Sequence, residues 1–509
     1  MLPDTTQNPP ALRPWPVEAD CYSQLARVQR ILRHQGLLQN HFTVENWPQG
    51  MAPSTTAPFD YVILLLYAPL SLFTTHPLDW AGALVSPALW VGLVIFWMLF
   101  RSREFNLAGR AILIIGSAAL PAFIWATACG RPRHQSLILA LMAVGLTAEY
   151  ERWRIELTPK RAWNMVAGMV WGLACWTSLF EPSVVVVLLV LFNLIVRRRE
   201  HFAFLVSFGV VIGIMLVLEG GHIYANISNI YNLTPEYRRY SLNWLSSIAE
   251  VRPIGYESFI RQMTCLSFVL IVPLVSWRLL RQAGDHRTDF LLILLTAVLA
   301  CLMFAQNRWV YYANLAELFL IARYYQLAPL RWSRLLVVAF FLFGIAYDSV
   351  VQLHQRGRAP ANQPSLELAE ISRAIDQPGG IMAPWWLSPG LLYFSGQPIV
   401  SGSSHAGISG IVASAKFYST TSWDDAERIL RERRVRWIVV WDDPRYEYPL
   451  LNASHRILGL PPVTDDDKGD ADSTVAQILI SDQTLPSSIQ LRNITPQLKL
   501  YEYVPETGR

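Results

Sequence analysis

Residues 83–100 read ALVSPALWVGLVIFWMLF and run directly into Arg101-Ser-Arg103. Eighteen uncharged residues form about 27 Å of α-helix, close to the apolar thickness of a bilayer. Comparable runs recur, and ten spans are predicted: 83–100, 111–128, 134–148, 163–180, 182–197, 201–219, 262–280, 288–306, 310–326 and 334–351. After residue 352 the apolar runs stop and mixed sequence continues to Arg509. The composition agrees, with 52% hydrophobic and only 16% charged residues over 509 positions. The expected architecture is an α-helical polytopic membrane domain followed by a small extracytoplasmic α/β domain. Three regions are expected: 1–82, a first outer loop; 83–351, the membrane domain with a long outer loop at 220–261; and 352–509, the soluble domain.

Charge sets the orientation. Basic clusters fall in alternate gaps: Arg101/Arg103/Arg110, Arg152/Arg154/Lys160/Arg161, Arg197/Arg198/Arg199, Arg278/Arg281/Arg287 and Arg331/Arg334. Positive loops stay in the cytoplasm, so the other gaps and both ends of the chain face outward. The expected location is a cell membrane of bacterial inner-membrane type, with the active face and soluble domain in the periplasm or exterior. Residues 59–75, FDYVILLLYAPLSLFTT, are apolar enough to span, but a span there would turn 1–58 inward. They are therefore read as an outer-face helix on the membrane, with a true span as the alternative. An outward 1–58 without a signal-like segment predicts a further transmembrane helix ahead of Met1.

The outward gaps collect ionisable residues. They carry Glu18, Asp20, Arg131, Arg133, His134, Glu181, Glu250 and Arg308. Such residues at the edge of a membrane bundle are costly and read first as functional. Hard carboxylate oxygens at Asp20 and Glu250 suit Mg²⁺ or Mn²⁺, and planar guanidinium groups suit phosphate. Singly, each also reads as a solvated loop residue or an interfacial anchor. The net charge of +4 is spread over many loops and gives no footprint for nucleic acid. Five cysteines without ligand spacing imply neither a zinc site nor a disulfide framework.

These motifs together resemble the catalytic subunit of oligosaccharyltransferase, a glycosyltransferase family of the GT-C fold, in its single-subunit archaeal and bacterial form. Asp20-Cys-Tyr22, followed by Arg27 and His34-Gln-Gly36, resembles the family's first outer loop, and Trp47-Pro-Gln-Gly50 and Pro58-Phe-Asp60 its continuation. Gly130-Arg-Pro-Arg133-His134-Gln135 resembles the second acidic motif, Ser247-Ile-Ala-Glu250 the TIxE or SVxE motif of the long outer loop, and Gln306-Asn-Arg308-Trp the arginine that binds the donor diphosphate. Pro384-Trp385-Trp386-Leu387-Ser388-Pro389-Gly390 resembles the WWDxG segment that reads an acceptor sequon.

The resemblance implies transfer of a sugar or oligosaccharide from a polyprenyl-(di)phosphate-linked donor to an extracytoplasmic protein or glycan acceptor, with protein Asn as the family's acceptor, among membrane lipids. It implies Asp20 and Glu250 as catalytic and metal-holding, Arg308, Arg133 and His134 as donor-phosphate ligands, and Trp385 and Trp386 as acceptor-reading. Two departures stand out. Arg133 stands where the family has Asp, and a cation there repels a divalent ion while suiting a phosphate. Leu387 stands where the family's Asp accepts a hydrogen bond from the sequon hydroxyl, which an apolar side chain cannot do. Alternatives are a GT-C transferase acting on a lipid, polysaccharide or Ser/Thr hydroxyl, and a non-catalytic scaffold or lipid-glycan transporter.

In the soluble part, 352–366 reads as a linker, 366–375 and 423–434 as helices, and 380–383, 398–401 and 437–440 as short strands.

Overall fold

The computed structural model describes residues 18–33, 41–52, 56–100, 105–152, 161–195, 202–231, 235–248, 250–253, 287–327, 363–443, 445–482 and 485–505, with a few positions between them. The expected span 262–280 and nearly all of 334–351 lie outside the described residues.

Helix α1, Ala19–Leu32, starts from Glu18 in extended conformation and carries Asp20 in its first turn. A carboxylate there meets the positive end of the helix dipole. Helix α2, Pro58–Leu70, opens on a proline, whose missing N–H costs nothing at a helix start. Its 13 residues give about 20 Å of helix, too short to cross the apolar layer. Its start is tied down by Glu219, which accepts from the Ala57 N–H at 2.9 Å and from Trp176 Nε1 at 3.2 Å.

The bundle continues through α3 (Pro77–Leu99), α4 (Leu107–Ala119), α5 (Pro121–Ala126), α6 (His134–Arg152), α7 (Arg161–Thr177), α8 (Glu181–Ile195) and α9 (Phe202–Tyr231). The single span expected over 111–128 is two helices. Leu120 sits before a proline and is extended, with ψ 127°, because the Pro121 ring disfavours a helical residue ahead of it. Helix α10, Pro235–Ser247, belongs to the long loop, and α11 (Arg287–Ala305) and α12 (Val310–Leu327) close the bundle. Helix α12 is its axis. Leu315, Leu318, Phe319 and Ala322 are fully buried and pack with Leu113, Leu146, Trp171 and Leu295.

Among the described residues, α3 and the 202–221 part of α9 are long and apolar enough to cross a bilayer. Helix α9 leaves Phe202, Leu205, Val210, Ile214 and Val217 exposed along its length. A continuous apolar face without protein cover suits lipid rather than water.

The C-terminal part is an α/β unit. It runs α13 (Gln363–Arg373), β1 (Gly380–Met382), α14 (Ser388–Ser395), α15 (Ile408–Ser419), α16 (Trp423–Glu432), β2 (Val435–Trp441), α17 (Pro449–Leu458), α18 (Val475–Ser481), β3 (Ile489–Ile494) and β4 (Leu498–Tyr503). The sheet order is β1-β2-β4-β3, parallel between β1 and β2 and antiparallel elsewhere. The segment 398–401, expected as a strand, makes an isolated parallel bridge from Ile399 to Ile381.

The N-terminal segment packs onto this unit. Tyr22 of α1 lies against Tyr393 and Phe394 of α14, and Tyr393 donates to Asp79 of α3 at 2.6 Å. The Trp47 N–H donates to Ile399 O, and the Ile399 N–H donates to Val44 O. One hydrophobic cluster therefore runs from α1, α2 and α3 through α13 and α14 to the sheet. It holds one end of the bundle against the α/β unit, and the charged site lies at that junction.

Candidate active site

Four segments far apart in sequence deliver the site. The first is the start of α1, with Glu18 and Asp20. The second is the turn from α5 to α6, residues 129–133. Gly130 takes φ +80° there, and its N–H bonds Ala83 O at 3.1 Å, while Ser86 Oγ donates to Arg131 O at 2.6 Å. Both contacts pin the turn to α3. Arg131 donates to Trp125 O at 2.9 Å, lies over the Trp125 ring at 3.7 Å and pairs with Glu18.

Arg133 is the centre. Its Nε lies 2.9 Å from Glu18, its Nη2 donates to Asp20 at 2.7 Å, and its Nη1 donates to Glu250. A guanidinium has three edges, and each faces a different carboxylate. Burial works to lower the Arg133 pKa, but Glu250, Asp20 and Glu18 outweigh it and hold the group well above its ordinary value. Arg133 is a permanent cation there. Its side chain is 11% exposed and that of Asp20 is 48% exposed, so Asp20 is the carboxylate that an incoming molecule reaches first.

The third segment is the loop after α10. Trp244 is fully buried between α10 and α15, with Ile408, Ile411 and Val412 around it. Six residues on, Glu250 is held by its backbone as well as its side chain. The Arg308 N–H donates to Glu250 O and the Asn307 N–H to Arg252 O, both at 2.8 Å. These bonds join the loop to the fourth segment, the 3₁₀ turn Asn307–Trp309 between α11 and α12. Arg308 pairs with Glu181, the first residue of α8, and lies over the Phe180 ring at 5.2 Å. Burial acts to lower its pKa, and Glu181 more than offsets that, leaving it raised.

The structure thus brings Asp20, Arg133, Glu250 and Arg308 together. His134, at the head of α6, lies within electrostatic reach of Glu181, Arg133 and Arg308. Trp385 and Trp386 lie apart. Trp385 packs edge-on against Trp244 at 6.2 Å, and Trp386 against Trp441 at 5.5 Å. Leu387 is buried in the cluster that joins α1 and α14, and no described contact links this segment to Arg133.

Glu18, Arg131 and Glu181 also belong to the site, although the motifs single out none of them. Each has a local signal. Glu18 and Arg131 stand two residues ahead of Asp20 and Arg133, and Glu181 heads an apolar helix, where a lone acid needs a cation.

The divalent ion implied by the resemblance meets a poor donor set. Asp20 and Glu250 are present, but a guanidinium lies between them. A dication about 4 Å from it would meet roughly 8 kcal/mol of repulsion at an effective dielectric of about 20. Among the described residues, no group of three or more His, Cys, Asp and Glu side chains is arranged to hold a metal ion. The arrangement fits a resident guanidinium better than a divalent ion.

A second feature lies close by. An apolar groove of about 430 Å³ opens between α2, α3 and α6, lined by Leu65, Leu89, Phe96, Leu137 and Leu141. Leu137 stands one helical turn beyond Arg133.

A helical bundle joined to an α/β unit, with a charged cluster where the two meet, has counterparts among solved structures. Solved structures make the likeness specific at the level of fold. The archaeal oligosaccharyltransferase AglB from Archaeoglobus fulgidus, in complex with an inhibitory peptide and a dolichol-phosphate, matches with a TM-score of 0.66 at 14% identity, over 95% of this chain and 76% of that one. A crystal structure of an A. fulgidus oligosaccharyltransferase tethered to an acceptor peptide with an NVT sequon matches with a TM-score of 0.64 at 13% identity, over 96% and 76%. Another, in complex with Zn and sulfate, matches with a TM-score of 0.67 at 12% identity, over 95% and 75%. The chain has the oligosaccharyltransferase fold, divergent in sequence. No family model and no curated protein matches the sequence.

Proposed function

We propose that this chain is an integral-membrane glycosyltransferase similar to oligosaccharyltransferase. It transfers a sugar or oligosaccharide from a polyprenyl-(di)phosphate donor to an acceptor on the outer side of the membrane. The observation that carries this reading is the convergence of Asp20, Glu250, Arg133 and Arg308 at one junction of that fold. The dolichol-phosphate and acceptor peptide bound by the archaeal proteins lend it support.

In the transfer, the acceptor nucleophile attacks the anomeric carbon as the bond from that carbon to the phosphate oxygen breaks. The phosphate leaves with the electron pair. Asp20, the most accessible carboxylate of the three, takes the acceptor proton, and Glu250 orients the acceptor beside it. Arg308 faces the developing phosphate charge, exchanging part of its pairing with Glu181 for the leaving group. In this reading His134, at the head of α6, contacts the donor. The groove between α2, α3 and α6 offers the isoprenoid tail an apolar wall.

The acceptor is read as something other than a standard sequon Asn. Leu387 is buried and apolar where a carboxylate would take the sequon hydroxyl, which favours a lipid, polysaccharide or Ser/Thr hydroxyl acceptor. Glycoproteomics on wild-type and deletion cells separates the two acceptor classes.

The test is Asp20→Ala, Glu250→Ala and Arg308→Ala, assayed with a labelled lipid-linked donor. Each is expected to lose about 10²–10³-fold in turnover, the scale for removing one group that acts on transition-state charge. Full transfer by all three would sink the assignment.

A further inference from the structure

In this site a permanent cation lies where carboxylates from three segments meet. Glu18 and Asp20 come from α1 and Glu250 from the loop after α10. A divalent ion commonly gathers carboxylates from separate segments in this way, because a compact double charge offsets their mutual repulsion. The guanidinium answers the same need differently. It supplies one delocalised charge and five donors in a fixed plane, so it sets the direction of each carboxylate as well as neutralising it. Arg131 adds a second positive charge against Glu18. The five groups together carry a net charge of −1, from three carboxylates and two guanidinium groups.

We infer that Arg133 is a built-in substitute for a divalent ion: it positions Asp20 and Glu250 so that transfer proceeds without added metal. Arg133 is on this view a positioning residue rather than a donor-phosphate ligand, since each of its three edges already faces a carboxylate. Its one turn of connection to α3, through Gly130 and Ser86, keeps the cation in register with both catalytic carboxylates. The inference rests on the proposed transfer only for its activity arm, and metal binding tests it independently.

The experiment uses the purified full chain in nanodiscs, titrated with Mn²⁺ and followed by electron paramagnetic resonance. Wild type is expected to show no Mn²⁺ site in the micromolar range. Arg133→Asp is expected to gain one, because four carboxylates would then face Arg131 alone. Micromolar Mn²⁺ binding by wild type that is lost in Asp20→Asn would overturn the inference without any variant at Arg133 having to fold. In the activity arm, wild-type transfer is expected to stay within twofold in excess EDTA. A loss of tenfold or more, restored by Mg²⁺ or Mn²⁺, would also overturn it. Arg133→Lys keeps the charge and is expected to remain EDTA-insensitive, while Arg133→Asp becomes EDTA-sensitive. Lack of any donor turnover by wild type would count against the proposed transfer, and the Mn²⁺ titration would still decide the role of Arg133.

Discussion

The Arg133 cluster and the Trp385-Trp386-Leu387 segment both answer to motifs in the sequence, and each motif lacks a carboxylate that the resemblance leads one to expect. The two regions respond in opposite ways. Around Arg133, exchanging an acid for a base preserves the convergence of Asp20 and Glu250, because the new charge is complementary to those that remain. Around Leu387, the apolar side chain faces inward. Leu387 joins the hydrophobic cluster, and the two tryptophans become links between α10, the sheet and α14. A charged site survives a change of sign when the whole set can rebalance. A single hydrogen-bond acceptor has no such substitute.

The largest effect is expected from Arg133→Ala. It leaves Glu18, Asp20 and Glu250 close together with Arg131 as the remaining cation, and an uncompensated buried charge typically costs about 3–5 kcal/mol. Asp20 is nearly half exposed, so solvent screens part of that repulsion, and roughly 2–4 kcal/mol is the expected loss of stability. Thermal unfolding in nanodiscs reads that loss, and donor turnover should fall by more than about 100-fold. Arg133→Lys should recover stability more than turnover, since an ammonium restores the charge without the three-edged geometry. Equal recovery of both would mean that charge alone matters.

A smaller effect is expected from Trp385→Ala. Trp385 is half-buried and packs against Trp244 and Trp386. Removing it should cost about 2 kcal/mol, below the range for a fully buried tryptophan. Turnover per folded molecule and the acceptor KM should each change by less than about threefold, well under the scale of a lost catalytic contact. A large rise in acceptor KM at unchanged stability would instead make these aromatics part of the acceptor surface and erase the contrast with Arg133.

Much of this architecture is legible in the sequence. Apolar length predicts α3, α6 to α9, α11 and α12, because a span has to cover the hydrocarbon whatever its neighbours do. The break at Pro121 is legible too, but a hydropathy window averages over it. Strands β3 and β4 are not predicted. Polar and apolar residues do not alternate cleanly in them, with Leu491 and Ile494 exposed and Glu502 buried, and their order in the sheet, with β4 between β2 and β3, depends on pairing that no local pattern encodes. In the site, the charged motifs mark Asp20, Arg133, Glu250 and Arg308. The sequence does not say which charge meets which. Glu18, Glu181 and Arg131 take their meaning from partners more than a hundred residues away, or in Arg131's case also from a ring that it covers.

Glu45 offers the most conservative exchange, acid to amide. It sits against Gly402 of the α/β unit and accepts from Ser23 of α1, and it is almost wholly buried. Arg27, whose charge reaches Glu45, also pairs with Asp60. Burial therefore dominates and raises the Glu45 pKa to about 7, with Arg27 offsetting it in part and Asp20 adding to it. Across the window from the usual carboxylate value up to about 7, the folded chain holds a proton that the unfolded chain has released. Stability accordingly falls as pH rises through that window and levels off above it. A shift of this size corresponds to roughly 3 kcal/mol. Glu45→Gln stays neutral, so its melting temperature should match wild type near pH 4.5, exceed it at pH 8, and show little slope between. Identical pH profiles for the two proteins would mean that the Arg27 charge and the Ser23 hydrogen bond fully offset the burial of Glu45.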